Sequence, residues 1–191
     1  MQQLRLFWAI NLPVSIRARL AEVQGKLKKV PCDVKWVEEE NLHLTMKFLG
    51  NVEVSQLSGL VEAVKDALGH TPSFALSLGG LGFFPDALRP RVLWAGLHGD
   101  LGRLRQIHEQ LTKAHLSLGF PDEKRSFSPH LTLARLHSSR EIKSLVSRVN
   151  ELGQVVGQLG HLEVQSVDLM QSELNRRGPV YTLLAEVKLS G

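Results

Sequence analysis

Two tetrapeptides of one pattern, His43-Leu44-Thr45-Met46 and His130-Leu131-Thr132-Leu133, constrain the fold of this 191-residue chain more than anything else in it. Each reads histidine, apolar, threonine, apolar. With eight histidines and five threonines in the sequence, chance supplies roughly 0.2 His-x-Thr triplets, and about 0.04 once both apolar positions are required. A repeat at this level points to two halves with matching strands. On a strand, alternate side chains share a face, so His43 and Thr45 project together while Leu44 and Met46 point the other way. His130 and Thr132 stand in the same relation to Leu131 and Leu133. Each strand then buries an apolar face and offers an imidazole and a hydroxyl on the other.

The rest of the pattern suits such halves. Leu4 to Leu12 is an apolar run that predicts a buried strand. Pro13 opens a helix carrying Ile16, Leu20, Val23, Leu27 and Val30. Val34 to Val37 and Leu42 to Leu49 predict strands, and a helix from Ser55 to Leu68 buries Leu57, Val61, Val64 and Leu68. Phe74 to Leu78 and Arg91 to Leu97 are further strands, with Gly79-Gly80-Leu81-Gly82 and Pro85 expected as turns. Asp100 caps a helix carrying Leu101, Leu104, Ile107, Leu111 and Leu118. His130 to Leu136 is a strand, and Ser138 with Glu141 forms a capping box for a helix carrying Ile142, Leu145, Val146 and Val149. Leu162 to Met170 and Val180 to Leu189 close the chain as strands. Hairpin-like strand pairs between single helices favour an α+β fold with antiparallel sheets over a doubly wound parallel one.

Composition excludes several alternatives. Hydrophobic residues at 43% and charged residues at 22% are those of an ordinary globular chain, not a disordered, collagen-like or coiled-coil one. No apolar run reaches the roughly 18 to 20 residues a membrane helix needs, and the start lacks the pattern of a secretory signal. Cys32 is the one cysteine, so a reducing cytoplasm is expected. The formal charge of +4 tolerates a phosphate-bearing partner but is far from a nucleic-acid coat.

Two imidazoles facing one cleft with two hydroxyls supply a general acid, a general base and an anion-binding frame. Histidine suits both roles because its ordinary pKa lies near 6.5. The reaction served best is attack on phosphorus with a leaving oxygen that needs a proton, the threonines donating to non-bridging oxygens. Zinc sites use three or four ligands, and neither motif holds an Asp, Glu, Cys or further His, so no metal is expected. Gly79 to Gly82 lacks the Lys-Ser/Thr of a phosphate loop. Trp8, Trp36 and Trp94 read as core or cleft-wall residues. Lys47 shares parity with His43 and Thr45 and faces either phosphate or solvent. Arg125, Arg176 and Arg177 are candidates for attracting a phosphate-bearing partner, or are simply solvated. His70, His98, His108, His115, His137 and His161 show no paired pattern.

The chain resembles the two-histidine phosphoesterases, in the RNA 2′,3′-cyclic phosphodiesterase branch also described as 2′-5′ RNA ligases. The resemblance runs through Arg5-Leu6-Phe7-Trp8-Ala9-Ile10, His43-Leu44-Thr45-Met46-Lys47-Phe48-Leu49-Gly50, Gly82-Phe83-Phe84-Pro85 and Arg89-Pro90-Arg91-Val92-Leu93-Trp94. It continues in Phe127-Ser128-Pro129-His130-Leu131-Thr132-Leu133-Ala134-Arg135 and Pro179-Val180-Tyr181. It implies a bilobal, pseudo-two-fold α+β fold over residues 1–191, a single domain of two intertwined lobes with antiparallel sheets lining a central cleft and helices outside. Segments 43–46 and 130–133 would give one motif to each lobe. It also implies metal-free, cofactor-free hydrolysis of 2′,3′-cyclic phosphate ends of RNA or nucleotides to 2′-phosphomonoesters, with weak 2′-5′ ligation in reverse. By that resemblance His43 is the proton donor and His130 the proton acceptor, although the near-symmetric motifs leave the split open. Thr45 and Thr132 bind phosphate, and Phe48 and Arg135, each five residues after a motif histidine, clamp the terminal base. Strict alternation sends both clamp residues to the core, so reaching the cleft requires a strand end or a bulge. A monomer in the cytoplasm is expected, with RNA or nucleotide ends as its partners and no membrane. The alternatives are a 2′-5′ oligonucleotide phosphodiesterase and a non-catalytic nucleotide- or RNA-binding module.

Overall fold

The structure, a computed structural model, describes residues 2–122, 126–137, 142–155, 159–176 and 178–190. Its elements follow in chain order. They are β1 (Gln3–Asn11), α1 (Val14–Leu27), β2 (Val34–Trp36), β3 (His43–Glu53), α2 (Leu57–Leu68), β4 (Phe74–Phe84), β5 (Val92–Gly99) and α3 (Leu101–Leu116). After them come β6 (Leu131–Leu136), α4 (Ile142–Val155), β7 (Gly160–Val164), β8 (Ser166–Asn175) and β9 (Gly178–Lys188). The strands form one antiparallel sheet in the order β7-β4-β5-β6-β3-β1-β8-β9, with short β2 added to β6.

The motif strands β3 and β6 sit at the centre, and each is flanked outward by its own half, β1-β8-β9 or β5-β4-β7. The fold is therefore the expected α+β arrangement of two antiparallel halves. The chain crosses between them repeatedly, and its last two strands return to complete the half that β1 began.

One face of the sheet is covered by helices. Ile16, Leu20, Val23 and Leu27 of α1, Leu60, Val64 and Leu68 of α2, and Leu104, Ile107 and Leu111 of α3 are buried against Leu6, Trp8 and Ile10 of β1 and Leu131 and Leu133 of β6. Alternation then forces Phe7 and Ala9 onto the opposite face, where they form a small separate cluster with Met170 and Tyr181. That second face curls on itself. The β8–β9 hairpin bends far enough for Asn41, just before β3, to donate from Nδ2 to the Pro179 carbonyl at 2.9 Å.

Several expectations hold in detail. Asp100 caps α3 by accepting from the Arg103 amide at 2.9 Å, and Pro13 stands at the start of α1, its carbonyl accepting from the amides of Ile16 and Arg17. Others need correction. Gly79 to Gly82 is not a turn between strands. Pairing with β5 jumps from Leu78–Leu97 to Leu81–Ala95, so one extra residue bulges within a continuous β4, and Gly80 takes the required positive φ of 74°. Leu162 to Met170 is not one strand. It breaks at Gln165 into β7, which pairs with β4, and β8, which pairs with β1 in the other half. Leu118 lies beyond α3 and is exposed, and α2 buries Leu60 fully while Leu57 and Val61 are half-buried. The Ser138–Glu141 capping box lies outside the described residues. Among the described residues no helix is long and apolar enough to cross a membrane.

Candidate active site

The two motifs meet at their second residues. Leu44 of β3 pairs antiparallel with Leu131 of β6, and both leucines are wholly buried on the helix face. Because the strands run in opposite directions, His43 is brought toward Thr132 and Thr45 toward His130 on the open face. The local pseudo-two-fold axis therefore passes between the leucines, and the histidines and threonines alternate around it.

Each imidazole is anchored in the same way. His43 Nδ1 donates to the Asn41 carbonyl at 2.7 Å, and His130 Nδ1 donates to the Ser128 carbonyl at 2.7 Å. A carbonyl can only accept, so each neutral ring carries its hydrogen on Nδ1 and leaves Nε2 as the reactive nitrogen. His43 Nε2 is paired with the Thr45 hydroxyl at 2.9 Å. Aromatic walls set the ring planes. Phe7 lies 5.0 Å and Tyr181 5.2 Å from His43, the latter at 89°, and Phe84 stands edge-on to His130 at 4.8 Å. Burial holds the His43 pKa below the usual histidine value, partly opposed by the Asn41 carbonyl.

Matching bulges set the side-chain parity beyond each motif. Ala9 pairs with Thr45 but Trp8 with Lys47, so Met46 is an extra residue in β3. Likewise Trp94 pairs with Thr132 but Leu93 with Ala134, so Leu133 is extra in β6. The buried Gln24 side chain of α1 donates to the Leu133 carbonyl at 2.9 Å and to the Val37 carbonyl at 2.8 Å, tying down the second bulge. Each bulge puts two successive residues into the core, Met46 with Lys47 and Leu133 with Ala134, and so reverses the alternation downstream. Phe48 and Arg135 are thereby turned outward. The same reversal corrects the reading of Lys47, which faces neither phosphate nor solvent. It is 1% exposed, with its ammonium 3.7 Å from the Asp122 carboxylate.

A cavity of about 700 Å³ opens on this face. His43, Thr45, Phe48, Thr132 and Arg135 line it, whereas His130 is not among its lining residues. Sequence reasoning gave no role to Arg5, Lys35 or Tyr181, which line it too. A Tyr or Lys in a strand carries no signal of its own, and only the curl of the hairpin brings Tyr181 to His43. Of the tryptophans, Trp8 is core, Trp36 lines the cavity, and Trp94 packs behind Phe84 at 5.2 Å. Arg125 and Arg177 lie outside the described residues, and Arg176 is exposed. Among the described residues no group of three or more His, Cys, Asp or Glu is placed to hold a metal ion.

The support behind His130 has a weak point. A Cβ on Gly82 would lie 2.3 Å from the Trp94 ring. Gly82→Ala must displace Trp94, and overpacking of this kind costs about 1–3 kcal/mol. A thermal melt is expected to shift down by roughly 2–4 °C for each kcal/mol, and an unchanged Tm rejects this account of the packing.

The LigT-like phosphoesterase family model matches residues 10–94 and 100–181. The chain is 39% identical over 170 residues to an Aeropyrum pernix protein named RNA 2′,3′-cyclic phosphodiesterase, covering 89% of this chain and 94% of the relative. In three dimensions it is similar to a crystal structure from Thermus thermophilus, with a TM-score of 0.79, 31% identity and 98% of each chain covered. It is also similar to Escherichia coli LigT complexed with 3′-AMP, at a TM-score of 0.78 and 27% identity over the whole of both chains. With two His-x-Thr motifs meeting at one open face and the match spanning both halves, the chain belongs to the LigT-like, two-histidine phosphoesterases.

Proposed function

We propose that this chain hydrolyses 2′,3′-cyclic phosphate ends of RNA or nucleotides to 2′-phosphomonoesters. The observation that carries the reading is the pair of imidazoles, each with Nδ1 held by a carbonyl two residues back, brought to one face by the Leu44–Leu131 pairing. The activity in the name of the Aeropyrum pernix relative agrees with it. His130 takes a proton from water as its oxygen bonds to phosphorus. The bond from phosphorus to the ribose 3′ oxygen breaks, and His43 gives that oxygen its proton. Solvent then resets both rings. Thr45 and Thr132 donate to the non-bridging oxygens, where charge builds; Thr45 leaves its bond to His43 Nε2 to do so. Phe48 and Arg135 hold the terminal base, one by stacking and the other by stacking and charge.

No step calls for a metal or cofactor, and both motifs come from one chain, so a monomer suffices; the single cysteine suits a reducing cytoplasm. Ligation of 2′-5′ ends is the same path reversed and is expected to be weak. The test is incubation of a 2′,3′-cyclic nucleotide with the chain in excess chelator, with chromatographic separation of products. A 2′-phosphate is expected. A 3′-phosphate would place the leaving group at the wrong oxygen, and unchanged substrate would favour a binding module.

The pH profile follows from burial. Turnover needs one neutral and one protonated imidazole, so kcat/KM is bell-shaped. Protonating both rings ends activity on the acid side, and that limb reports the lower of the two macroscopic pKa values. Because His43 is held below 6.5, the acid midpoint is expected below pH 6.5, and a midpoint above that value in a kcat/KM titration contradicts it. The anionic phosphate raises the His43 pKa in the complex, which moves the limb for kcat upward and restores the donor.

A further inference from the structure

Three cations line the cavity beyond the imidazoles. Arg135 on β6 pairs in register with Lys35 on β2, and such cross-strand partners stand about 5 Å apart on one face. Arg5 enters from β1. The three converge on the hairpin. The charges of Arg135 and Arg5 both act on the Tyr181 hydroxyl, and Lys35 Nζ lies 3.8 Å from where a Cβ on Gly178 would stand. Tyr181 in turn touches His43, so this basic end adjoins the reacting end. Glu38 and Glu40 line the same cavity, yet among the described residues none of the three cations forms an ion pair with a carboxylate. Three like charges with no carboxylate in ion-pair contact repel one another and are stabilised by an anion, and Glu38 and Glu40 offset that repulsion only at longer range.

In an RNA strand, the anion nearest a terminal cyclic phosphate is the phosphodiester on the 5′ side of the same nucleotide. A free cyclic mononucleotide lacks it. We propose that Arg5 and Lys35, in the field of Arg135, form a subsite for that internal phosphodiester, so that the 3′ end of a strand binds more tightly than a free cyclic nucleotide. The assignment of the terminal group rests on the cyclic phosphodiesterase reading above; the subsite itself is read by binding alone. Lys35 comes from the short strand that is added to the sheet outside the paired halves, and among the described residues no such strand is added on the Phe48 side.

Calorimetric titration of the whole chain with adenosine 2′-phosphate and with adenylyl-(3′→5′)-adenosine 2′-phosphate tests this. The dinucleotide is expected to bind about tenfold tighter, as one charge-assisted contact supplies. Its log-affinity should fall more steeply with log salt by about 0.7, the increment for one single-strand phosphate. In Arg5→Ala/Lys35→Ala the ratio of the two affinities falls below about twofold, a ratio that general loosening of the fold does not move. A dinucleotide with an uncharged methylphosphonate linkage, titrated into the unmodified chain, should bind no better than the mononucleotide. Equal affinities, or full advantage for the methylphosphonate, overturn the subsite. A retained advantage alongside failure to hydrolyse any 2′,3′-cyclic phosphate overturns the cyclic phosphodiesterase reading and leaves the subsite standing.

Discussion

Replacing His43 or His130 with alanine is expected to lower kcat/KM by about 10²–10⁴-fold, the range that one positioned proton donor or acceptor supplies. The two changes should not add. Donor and acceptor act in one concerted displacement, so once either is missing the other has little left to do, and the double variant should be close to the worse single one. Affinity for a 2′-phosphate product should change far less than turnover, since Thr45, Thr132, Phe48 and Arg135 remain. Steady-state kinetics beside product titration separates the two. Wild-type turnover in either single variant would end the acid–base assignment, and a fully multiplicative double variant would show two independent steps.

The second large effect is on stability. Leu44 and Leu131 are fully buried and face the helices from the centre of the sheet, directly behind the histidines. Leu44→Ala or Leu131→Ala leaves a cavity in a close-packed core, at about 2–5 kcal/mol each. With roughly 2–4 °C per kcal/mol for a chain of this size, the melting temperature should fall by about 4–20 °C. The pair touches at a single bridge, so the double variant should depart measurably from the sum of the singles. A loss under 1 kcal/mol in urea titration would mean that Leu44 and Leu131 are not closely packed where the strands cross.

The site was readable from sequence where chemistry and periodicity agree, and unreadable where backbone geometry intervenes. The paired His-x-Thr tetrapeptides carry a strand period and a reactive pattern together, so the open-face placement of His43, Thr45 and Thr132 follows from the residues alone. Lys47 shows the limit. Nothing local distinguishes a strand of continuous alternation from one with an extra residue at Met46, yet that residue decides whether Lys47 or Phe48 meets the cleft. The glycines at 79 and 80 look like a turn because turns and bulges use the same residue for the same φ. The break at Gln165 has no Gly or Pro to announce it; pairing with two different strands, β4 and β1, imposes it. Tyr181, Arg5 and Lys35 reach the cavity only through the curl of the sheet, which is a property of all the strands at once.

The return of β8 and β9 to the first half also shapes how the chain is made. During synthesis β1 and β3 emerge early, but the other edge of β1 stays open until residues 166–175 have left the ribosome. Through most of translation Phe7 and Ala9 sit on a strand with one edge open, the kind of template on which nascent chains associate. The pairing of the first strand with the eighth gives the fold a high contact order and a slow final step. Cutting the gene between its two motifs would therefore not yield two folding halves, because the earlier fragment lacks two of the four strands on its side of the sheet.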